Sequence, residues 1–265
     1  MRIKGNVTTA AKLIGEYILS ISIFVLIWQI YVSTHDVPAF VLPAPKIVFV
    51  QFGKLFSSGM IWPHLWATTW EVTVGFLLGV FFGVVLGYVF AKVDGLKTAL
   101  MPHIIFMQTA PKIALVPLFV VWFGIGITSK LVLIVSMVIF PVMIGVIMGI
   151  GSIPQDVRYL MKILKASKWQ IFSRIEIMYS LPMIFSGLKI GIVQAVIGAI
   201  VSEWMSGKVG LGYILTYSSA TYNTALLMAG IIVTVLVGII SYEIIDLAGK
   251  YLLRWHDSEN TSKQQ

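Results

Sequence analysis

The sequence contains no cysteine and little charge. With no cysteine among 265 residues, disulfide bonds, thiolate nucleophiles and cysteine-ligated metals are excluded. Charged residues make up 11% of the chain and hydrophobic residues 58%, whereas about 25% of an average soluble domain is charged. This composition excludes a soluble globular protein and predicts an all-α polytopic membrane protein.

Groups of residues that carry out chemistry are also lacking. The four histidines are scattered, and we find neither a Walker A motif for nucleotide phosphates nor a plausible Ser/His/Asp set. We therefore expect no catalytic residue, no metal, no cofactor and no ATP hydrolysis by this chain alone. The formal charge of +8 does not indicate nucleic-acid binding, because the cations lie in segments beside apolar blocks and not on a folded basic face.

Long apolar stretches, by contrast, are abundant. Six of them are long enough to cross a hydrocarbon core of about 30 Å, at roughly 1.5 Å per helical residue. They cover residues 13–33, 72–91, 98–123, 131–150, 187–205 and 225–248. The first is interpreted as a retained helix and not as a signal peptide, since it is 21 residues long and lacks a small-residue cleavage site. Six spans without an obvious repeat are few for a complete alternating-access carrier, so a dimer would supply the missing half.

Glycine and proline distinguish two of these spans. In the second span, glycine occurs at every fourth position from Gly75 to Gly87. Glycines on one helix face allow another helix to approach closely, so we expect a packing seam there. The third span contains Pro102, Pro111 and Pro117, and these predict interruptions because proline cannot continue the hydrogen-bond ladder.

The longest basic interruption between apolar stretches is residues 151–186. Its middle, from Val157 to Phe172, has apolar residues at helical spacing with cations on the other side, and Trp169 and Phe172 share a face. Pro182 is expected to end this segment. The cations are Arg158, Lys162, Lys165, Lys168 and Arg174. Two interpretations remain open, namely a basic amphipathic helix on anionic headgroups and a knob that docks into a soluble partner.

The distribution of lysine and arginine predicts the orientation in the membrane. Fourteen of these residues fall in the termini, in the loops on the same side or, for Lys189, at the adjoining end of the fifth span; four fall in the opposite loops, and Lys112 lies within the third span. Positive charge is retained on the cytoplasmic side. Both termini (1–12 and 251–265) and the 151–186 loop are therefore expected to be cytoplasmic, and the Gly- and Tyr-rich residues 206–224 are expected to form an outer loop.

Four polar side chains in the spans are candidates for a translocation pathway, namely Gln108, Lys112, Gln194 and Glu203. Gln108 and Lys112 share a face if their helix is continuous. A lysine at the bilayer centre costs about 2.5–3.5 kcal/mol, which favours a cavity or a partner, and snorkelling to the outer surface is the alternative. For Glu203, at the end of the fifth span, we consider a bond to a neighbouring helix, a role in gating the pathway, and a place in the headgroup zone.

Several motifs resemble those of ATP-binding-cassette (ABC) importer permeases. SKWQIF at 167–172, with Leu181-Pro182 and Gly187-Leu-Lys189, resembles the cytoplasmic coupling loop of that family. FVLPAPKIV at 40–48, PKIALVPLFVVWFGIG at 111–126 and VSEWMSGKVGLGYIL at 201–215 resemble the nitrate/sulfonate/taurine branch of the binding-protein-dependent inner-membrane components. The resemblance covers about residues 25–250, with the motifs in the family's order. The chain departs from the coupling-loop pattern at Tyr159, Leu160, Met161, Lys165 (in place of the usual glycine) and Met178 (in place of a proline).

The resemblance implies a MetI-like ABC permease fold of about six transmembrane helices with a cytoplasmic coupling helix. The implied partners of this multi-pass inner- or plasma-membrane protein are an ABC ATPase that binds the ATP, an extracytoplasmic substrate-binding protein, a second permease copy and membrane lipids. The residues implied to contact the ATPase are Lys165, Ala166, Ser167, Lys168, Trp169 and Phe172. The implied solutes are sulfonates, taurine, nitrate or pyrimidine precursors of thiamine.

Two other classes of membrane protein are weighed against this interpretation. A stand-alone secondary carrier or channel would need ion-coupling carboxylates in the middle of the membrane, and no acidic residue is clearly placed there. A membrane enzyme would need paired carboxylates or metal ligands at one depth, which the four histidines do not provide.

Overall fold

The computed structural model describes residues 3–93 and 95–254. Over this part of the chain the regular structure is helical. The helices are α1 (Ile3–Thr34), α2 (Pro45–Ser57), α3 (Ile61–Lys92), α4 (Leu96–Thr109), α5 (Val116–Phe123), α6 (Ile127–Gly151), α7 (Gln155–Ile163), α8 (Lys168–Ile171), α9 (Ile177–Ser206), α10 (Leu211–Ala220) and α11 (Thr224–Leu252). A 3-10 turn (Lys112–Leu115) precedes α5, and a π turn (Phe172–Glu176) joins α8 to α9.

The described helices match the expected number of membrane spans. Five are long and apolar enough to cross a bilayer, namely Gly15–Thr34, Ile61–Lys92, Ile127–Gly151, Lys168–Met205 and Thr224–Leu252. A sixth span forms if the bent pair Ala99–Thr109 and Lys112–Phe123 is taken together. The prediction of an all-α polytopic protein with about six transmembrane helices is therefore confirmed.

The chain divides into two compact units. The first contains the chain up to Trp62 together with Ile214–Ile232. Within it α1 contacts α2, and the Thr224 hydroxyl donates a hydrogen bond to the Phe40 carbonyl. α10 and α11 also pack closely here, since a Cβ added to Gly230 would lie 3.0 Å from the Leu215 side chain.

The second unit contains Pro63–Tyr213 and the chain from Val233, and its core lies where α3, α6 and α9 meet. The glycine seam of α3 packs against α6. A Cβ on Gly79 would lie 2.6 Å from Val138 Cβ, and one on Gly87 would lie 2.8 Å from the Met143 carbonyl. A real Cβ at either position would force its neighbours to shift, so the predicted packing seam is confirmed: α3 approaches the α6 backbone because glycine leaves the room.

The same device joins α6 to α9. A Cβ on Gly145 would lie 2.6 Å from the Met183 carbonyl, and one on Gly187 would lie 2.6 Å from the Pro141 carbonyl. Glycines on both helices therefore bring the two backbones into contact. The buried side chains of this core are Val72, Phe76, Ile134, Val138, Val142, Ile192, Ala195, Val196 and Ala199.

Of the three prolines predicted to interrupt the third span, one coincides with a break. Pro102 lies inside α4, and Pro117 stands in the first turn of α5, where its missing N–H is not needed. The chain bends by 78° between Ala99–Thr109 and Lys112–Phe123. Ala110 there has φ −55° and ψ 137°, the extended conformation that a following proline, Pro111, imposes on its predecessor.

Two further expectations about the chain are wrong. Pro182 does not end the 151–186 segment but lies inside α9, which begins at Ile177, ten residues before the predicted span. Neighbouring helices in a membrane bundle satisfy the backbone groups that proline frees, so it is tolerated there. Residues 206–224, expected to be a loop, contain the ten-residue helix α10.

Candidate coupling site

The basic loop begins with α7, which is anchored to the end of α6 by Arg158. Its Nη2 donates to the Ile150 carbonyl at 2.7 Å, and its Nε donates to the Ile153 carbonyl at 3.4 Å. The last carbonyls of a helix lack partners within the helix and carry partial negative charge, so a guanidinium stabilises them. One of the five predicted loop cations therefore has a structural function.

A tight turn separates α7 from α8, so the helical spacing predicted from Val157 to Phe172 is interrupted. Lys165 adopts φ +47° in this turn, the left-handed conformation that favours glycine. Ser167 then begins α8 through a capping box, in which its hydroxyl accepts from the Gln170 N–H and its own N–H donates to Gln170 Oε1 at 2.8 Å. This backbone conformation explains why the coupling-loop pattern that the chain resembles has glycine where this chain has Lys165.

An exposed apolar surface surrounds this turn, and we call it the tip patch. Its members are Tyr159, Leu160, Ile163, Leu164 and Trp169. Trp169 is 71% exposed, and the ammonium of exposed Lys162 lies 5.8 Å from the Tyr159 ring centroid. Lys165 and Lys168 are also exposed. The patch is therefore apolar in its side chains and cationic at its rim.

Phe172 does not belong to the tip patch, although it was predicted to act with Trp169. The two ring centroids are 5.6 Å apart. However, Phe172 is half-buried, and its ring packs edge-on against Tyr88 of α3 at 5.4 Å. Trp169 therefore presents an accessible surface, whereas Phe172 fastens the loop to α3.

Next to Phe172 lies a polar contact that sequence reasoning missed. Glu176 is buried, accepts a hydrogen bond from the Tyr88 hydroxyl at 3.1 Å, and forms an ion pair with Lys92. We call these four residues, Tyr88, Lys92, Phe172 and Glu176, the Glu176 staple. Two signals in the sequence point to it, namely a tyrosine and a lysine four apart at the end of the second span and one of the few acidic residues of a basic loop.

Phe172 and Glu176 of the staple lie on a helix that continues into the apolar interior. From Lys168 to Met205 the chain is helical without a break, including the π turn. At 1.5 Å per residue this helix is roughly 55 Å long. Trp169 is therefore joined to α9 by continuous helix, and the staple joins the same segment to α3.

The pathway candidates Gln108 and Lys112 meet across the break in the third span. The Lys112 ammonium donates to the Gln108 carbonyl at 3.0 Å and lies 5.0 Å from the centroid of the Phe140 ring. The helix between them is not continuous, so they come together through a backbone carbonyl and not by sharing a face. Gln194 is half-buried on α9.

Glu203 is 1% exposed and lies among protein groups. Its Oε1 accepts from the Thr68 hydroxyl and its Oε2 accepts from the Gly212 N–H, each at 2.6 Å. Of the three roles weighed for this side chain, the structure shows the bond to a neighbouring helix. The enclosure of the carboxylate leaves no free surface that a passing solute would touch in this conformation.

A buried ion pair near the start of α6 was also not predicted. Lys130, one of the four lysines counted in the outer loops, lies in the first turns of α6 and pairs with Glu71 of α3 at 2.6 Å. Both side chains are buried. This cation is therefore part of the packing between two helices and not of a solvated loop.

Sequence comparison relates the chain to permeases. The family described as "Binding-protein-dependent transport system inner membrane component" matches residues 75–256. A riboflavin transport system permease protein of Chloroflexus aurantiacus is 33% identical over 91% of this chain and 90% of its own length. A putative aliphatic sulfonates transport permease protein of Bacillus subtilis is 30% identical (89% and 86% covered), and so is a formylaminopyrimidine transport permease protein of Halalkalibacterium halodurans (88% and 93% covered).

Structural comparison gives the same fold. A chain of the inward-facing MetNI methionine ABC transporter superposes with a TM-score of 0.59 at 18% identity, covering 74% of this chain and 97% of that chain. The resemblance that the coupling-loop and span motifs indicated is thereby confirmed. The chain belongs to the family of binding-protein-dependent transport system inner membrane components, the permease subunits of ABC importers.

Proposed function

We propose that two copies of this chain form the translocation pathway of an importer for a small polar organic or oxyanion solute. In this proposal a separate cassette subunit binds and hydrolyses ATP, and the permease itself carries out no chemistry. The observation that carries the proposal is the tip patch, because a soluble partner that covers it gains a direct mechanical connection to the membrane interior.

The solute class is inferred from the relatives. Three permeases that are 30–33% identical to this chain have names that refer to riboflavin, aliphatic sulfonates and formylaminopyrimidine. All three are small organic molecules with several polar atoms, and sulfonates are oxyanions. The proposed solute is therefore a sulfonate-like oxyanion or a polar nitrogen heterocycle, and the latter class includes flavins as well as the pyrimidine precursors that the family resemblance implied.

Coupling follows from the contacts of the loop. When the ATPase subunits close, a groove that holds Trp169 and its apolar neighbours would displace α8, in the helix-in-groove mode of recognition. The Glu176 staple and the unbroken helix after Lys168 then move α3 and α9 together. Rigid-body movement of this kind switches a dimer between two access states without any reaction in the permease.

The proposed orientation places both termini and the tip patch in the cytoplasm, the substrate-binding protein on the opposite side, and membrane lipids around the spans. It rests on the excess of lysine and arginine in the segments on one side. A topology reporter fused after Ile171 should report the cytoplasm, and one inserted near Val209 should report the outside. The opposite pair of results would contradict the orientation.

The two aromatic residues of the loop provide the test of coupling. Trp169→Ala removes an exposed ring, so the folded permease should be unaffected while docking loses at least about 2 kcal/mol, more than a tenfold loss of affinity. Phe172→Ala removes a ring from the staple and should instead lower stability, by about 0.5–1.5 kcal/mol for the ring pair alone. The measurements are co-purification with the ATPase, ATP-dependent uptake into proteoliposomes, and the unfolding midpoint of the permease.

Rim charges are the matched control. Lys162→Gln with Lys168→Gln should change docking little, because exposed charges contribute about 0–1 kcal/mol. If Trp169→Ala leaves ATPase association intact while the lysine changes alter only binding to anionic vesicles, the loop is a headgroup anchor and the coupling assignment is wrong.

A further inference from the structure

The motif at 201–215 has no part in the coupling loop, and the structure gives it a separate role. Two consecutive side-chain contacts surround the start of α10. Glu203, at the end of α9, accepts from the Thr68 hydroxyl and from the Gly212 N–H, each at 2.6 Å. The oxygen of Thr68 in turn accepts from the Leu211 N–H at 2.8 Å. Groups from α3 and α9 thus hold the first residues of α10.

His64 extends this contact by one turn of α3. Its Nδ1 lies 3.1 Å from the Gly210 nitrogen, and its ring stacks parallel to that of Tyr213 with centroids 5.7 Å apart. The first N–H groups of any helix lack partners within the helix, and here Leu211 and Gly212 find theirs on other helices. The Glu203 carboxylate also lies at the end of α10 where the helix dipole is positive, which stabilises its charge.

The close packing of residues 210–212 against the Glu203 side chain requires the two glycines of the motif, Gly210 and Gly212. Gly210 has φ +128°, and a Cβ there would overlap the Glu203 carboxylate. A Cβ on Gly212 would lie 2.8 Å from Glu203 Cβ. The loop therefore closes around the carboxylate with no space between them, and any side chain at either position would displace α10.

We propose that Thr68 and Glu203 form a latch, the Glu203 latch, which fixes the first turn of α10 to α3 and α9 throughout the transport cycle. The inference rests on the proposed function and makes both residues positioning residues for transport. The chain leaves the second compact unit between Tyr213 and Ile214, immediately after the latched residues. Release would leave a buried carboxylate without its donors, which is costly in a protein interior, so the latch stays closed and the start of α10 follows α9.

Thr68 offers a test at nearly constant volume. Thr68→Val loses both hydrogen bonds of the hydroxyl, whereas Thr68→Ser keeps them. Thr73→Val is the control on the same helix, because the Thr73 side chain is exposed and its hydroxyl donates to the Thr69 carbonyl within α3 itself. In Thr68→Val the buried Glu203 Oε1 and Leu211 N–H lose their hydrogen-bond partner, which is costly, so the start of α10 is no longer held to α3. Uptake per ATP hydrolysed should then fall about tenfold or more. It should stay near wild type in Thr68→Ser and in Thr73→Val.

The position of α10 is measured independently of transport. The chain has no cysteine, so His64→Cys with Tyr213→Cys introduces the only two thiols. This pair removes the His64 and Tyr213 contacts from every variant alike, so the cysteine pair with Thr68 intact is the reference for uptake and for bridging. A short, reducible bis-methanethiosulfonate bridge should link them in high yield in the Thr68→Ser background and in low yield with Thr68→Val. Where the bridge does form in Thr68→Val, it should restore uptake, and dithiothreitol should abolish the recovery.

Three results would overturn the latch. The first is that Thr68→Val changes neither the bridging yield nor uptake. The second is that the bridge blocks uptake in protein with Thr68 intact. The third is that bridged Thr68→Val protein stays inactive. If Thr68→Val does not accumulate in the membrane, Glu203→Gln takes its place, and a bridging yield equal to that of Thr68→Ser then contradicts the proposal. Loss of bridging in a chain that never supports uptake would instead retain the latch and refute the proposed function.

Discussion

Replacement of Lys130 by methionine tests how far the packing of α3 against α6 depends on a buried charge pair. The Lys130 ammonium lies 2.6 Å from Glu71 Oε1, and the two side chains are 9% and 5% exposed. The second oxygen, Glu71 Oε2, is buried and has no hydrogen-bond partner among the described residues. Lys130→Met therefore leaves a buried carboxylate with neither its cation nor its hydrogen bond.

The expected magnitude follows from what is lost. Breaking a buried ion pair by removing one partner costs about 3–5 kcal/mol, because the remaining charge is uncompensated. Replacing both partners by apolar side chains of similar volume is often close to neutral, since neither charge has to be desolvated. Glu71→Met with Lys130→Met should therefore be more stable than Lys130→Met alone by most of that amount.

The assay is equilibrium unfolding of the purified permease in mixed detergent micelles, followed by circular dichroism. Lys250→Met is the control, because the Lys250 side chain is 59% exposed in its pair with Asp246, and exposed pairs contribute about 0–1 kcal/mol. If the double variant loses as much stability as the two single variants added together, the pair is not coupled and the assignment of a buried charge pair is wrong.

Two further predictions test the backbone geometry. Gly83→Ala should destabilise the protein by about 1–3 kcal/mol, since the new Cβ would lie 2.9 Å from the Ile139 carbonyl. Gly53→Ala is the control and should not destabilise the protein, because no atom lies within 4 Å of a Cβ there. Equal unfolding midpoints for the two variants would contradict a packed seam. Lys165→Gly should stabilise the α7–α8 turn by up to about 1 kcal/mol, because φ +47° is costly for a residue with a side chain. A lower unfolding midpoint in this variant would show that the lysine side chain makes a contact worth more than the strain.

Several features could be predicted from the sequence because their causes are local. Apolar runs of about 20 residues satisfy their backbone groups only as helices in a bilayer, so the number of spans follows from the number and length of these runs. The glycine spacing from Gly75 to Gly87 likewise indicated a packed face, and the Ser167 motif indicated the family. The predicted end of the basic segment at Pro182 was wrong, because a proline that would break a helix in water is tolerated where other helices satisfy the backbone groups that it frees.

Only the tertiary structure decided what the polar residues do. Trp169 and Phe172 are equivalent by spacing, yet one is exposed and the other packs against Tyr88, because the direction of each side chain depends on where α3 lies. Glu203 was compatible with a pathway, a gate or a headgroup position until α3 and α10 supplied its donors. A buried charge is defined by partners distant in the chain, whereas hydropathy registers only its neighbours in sequence.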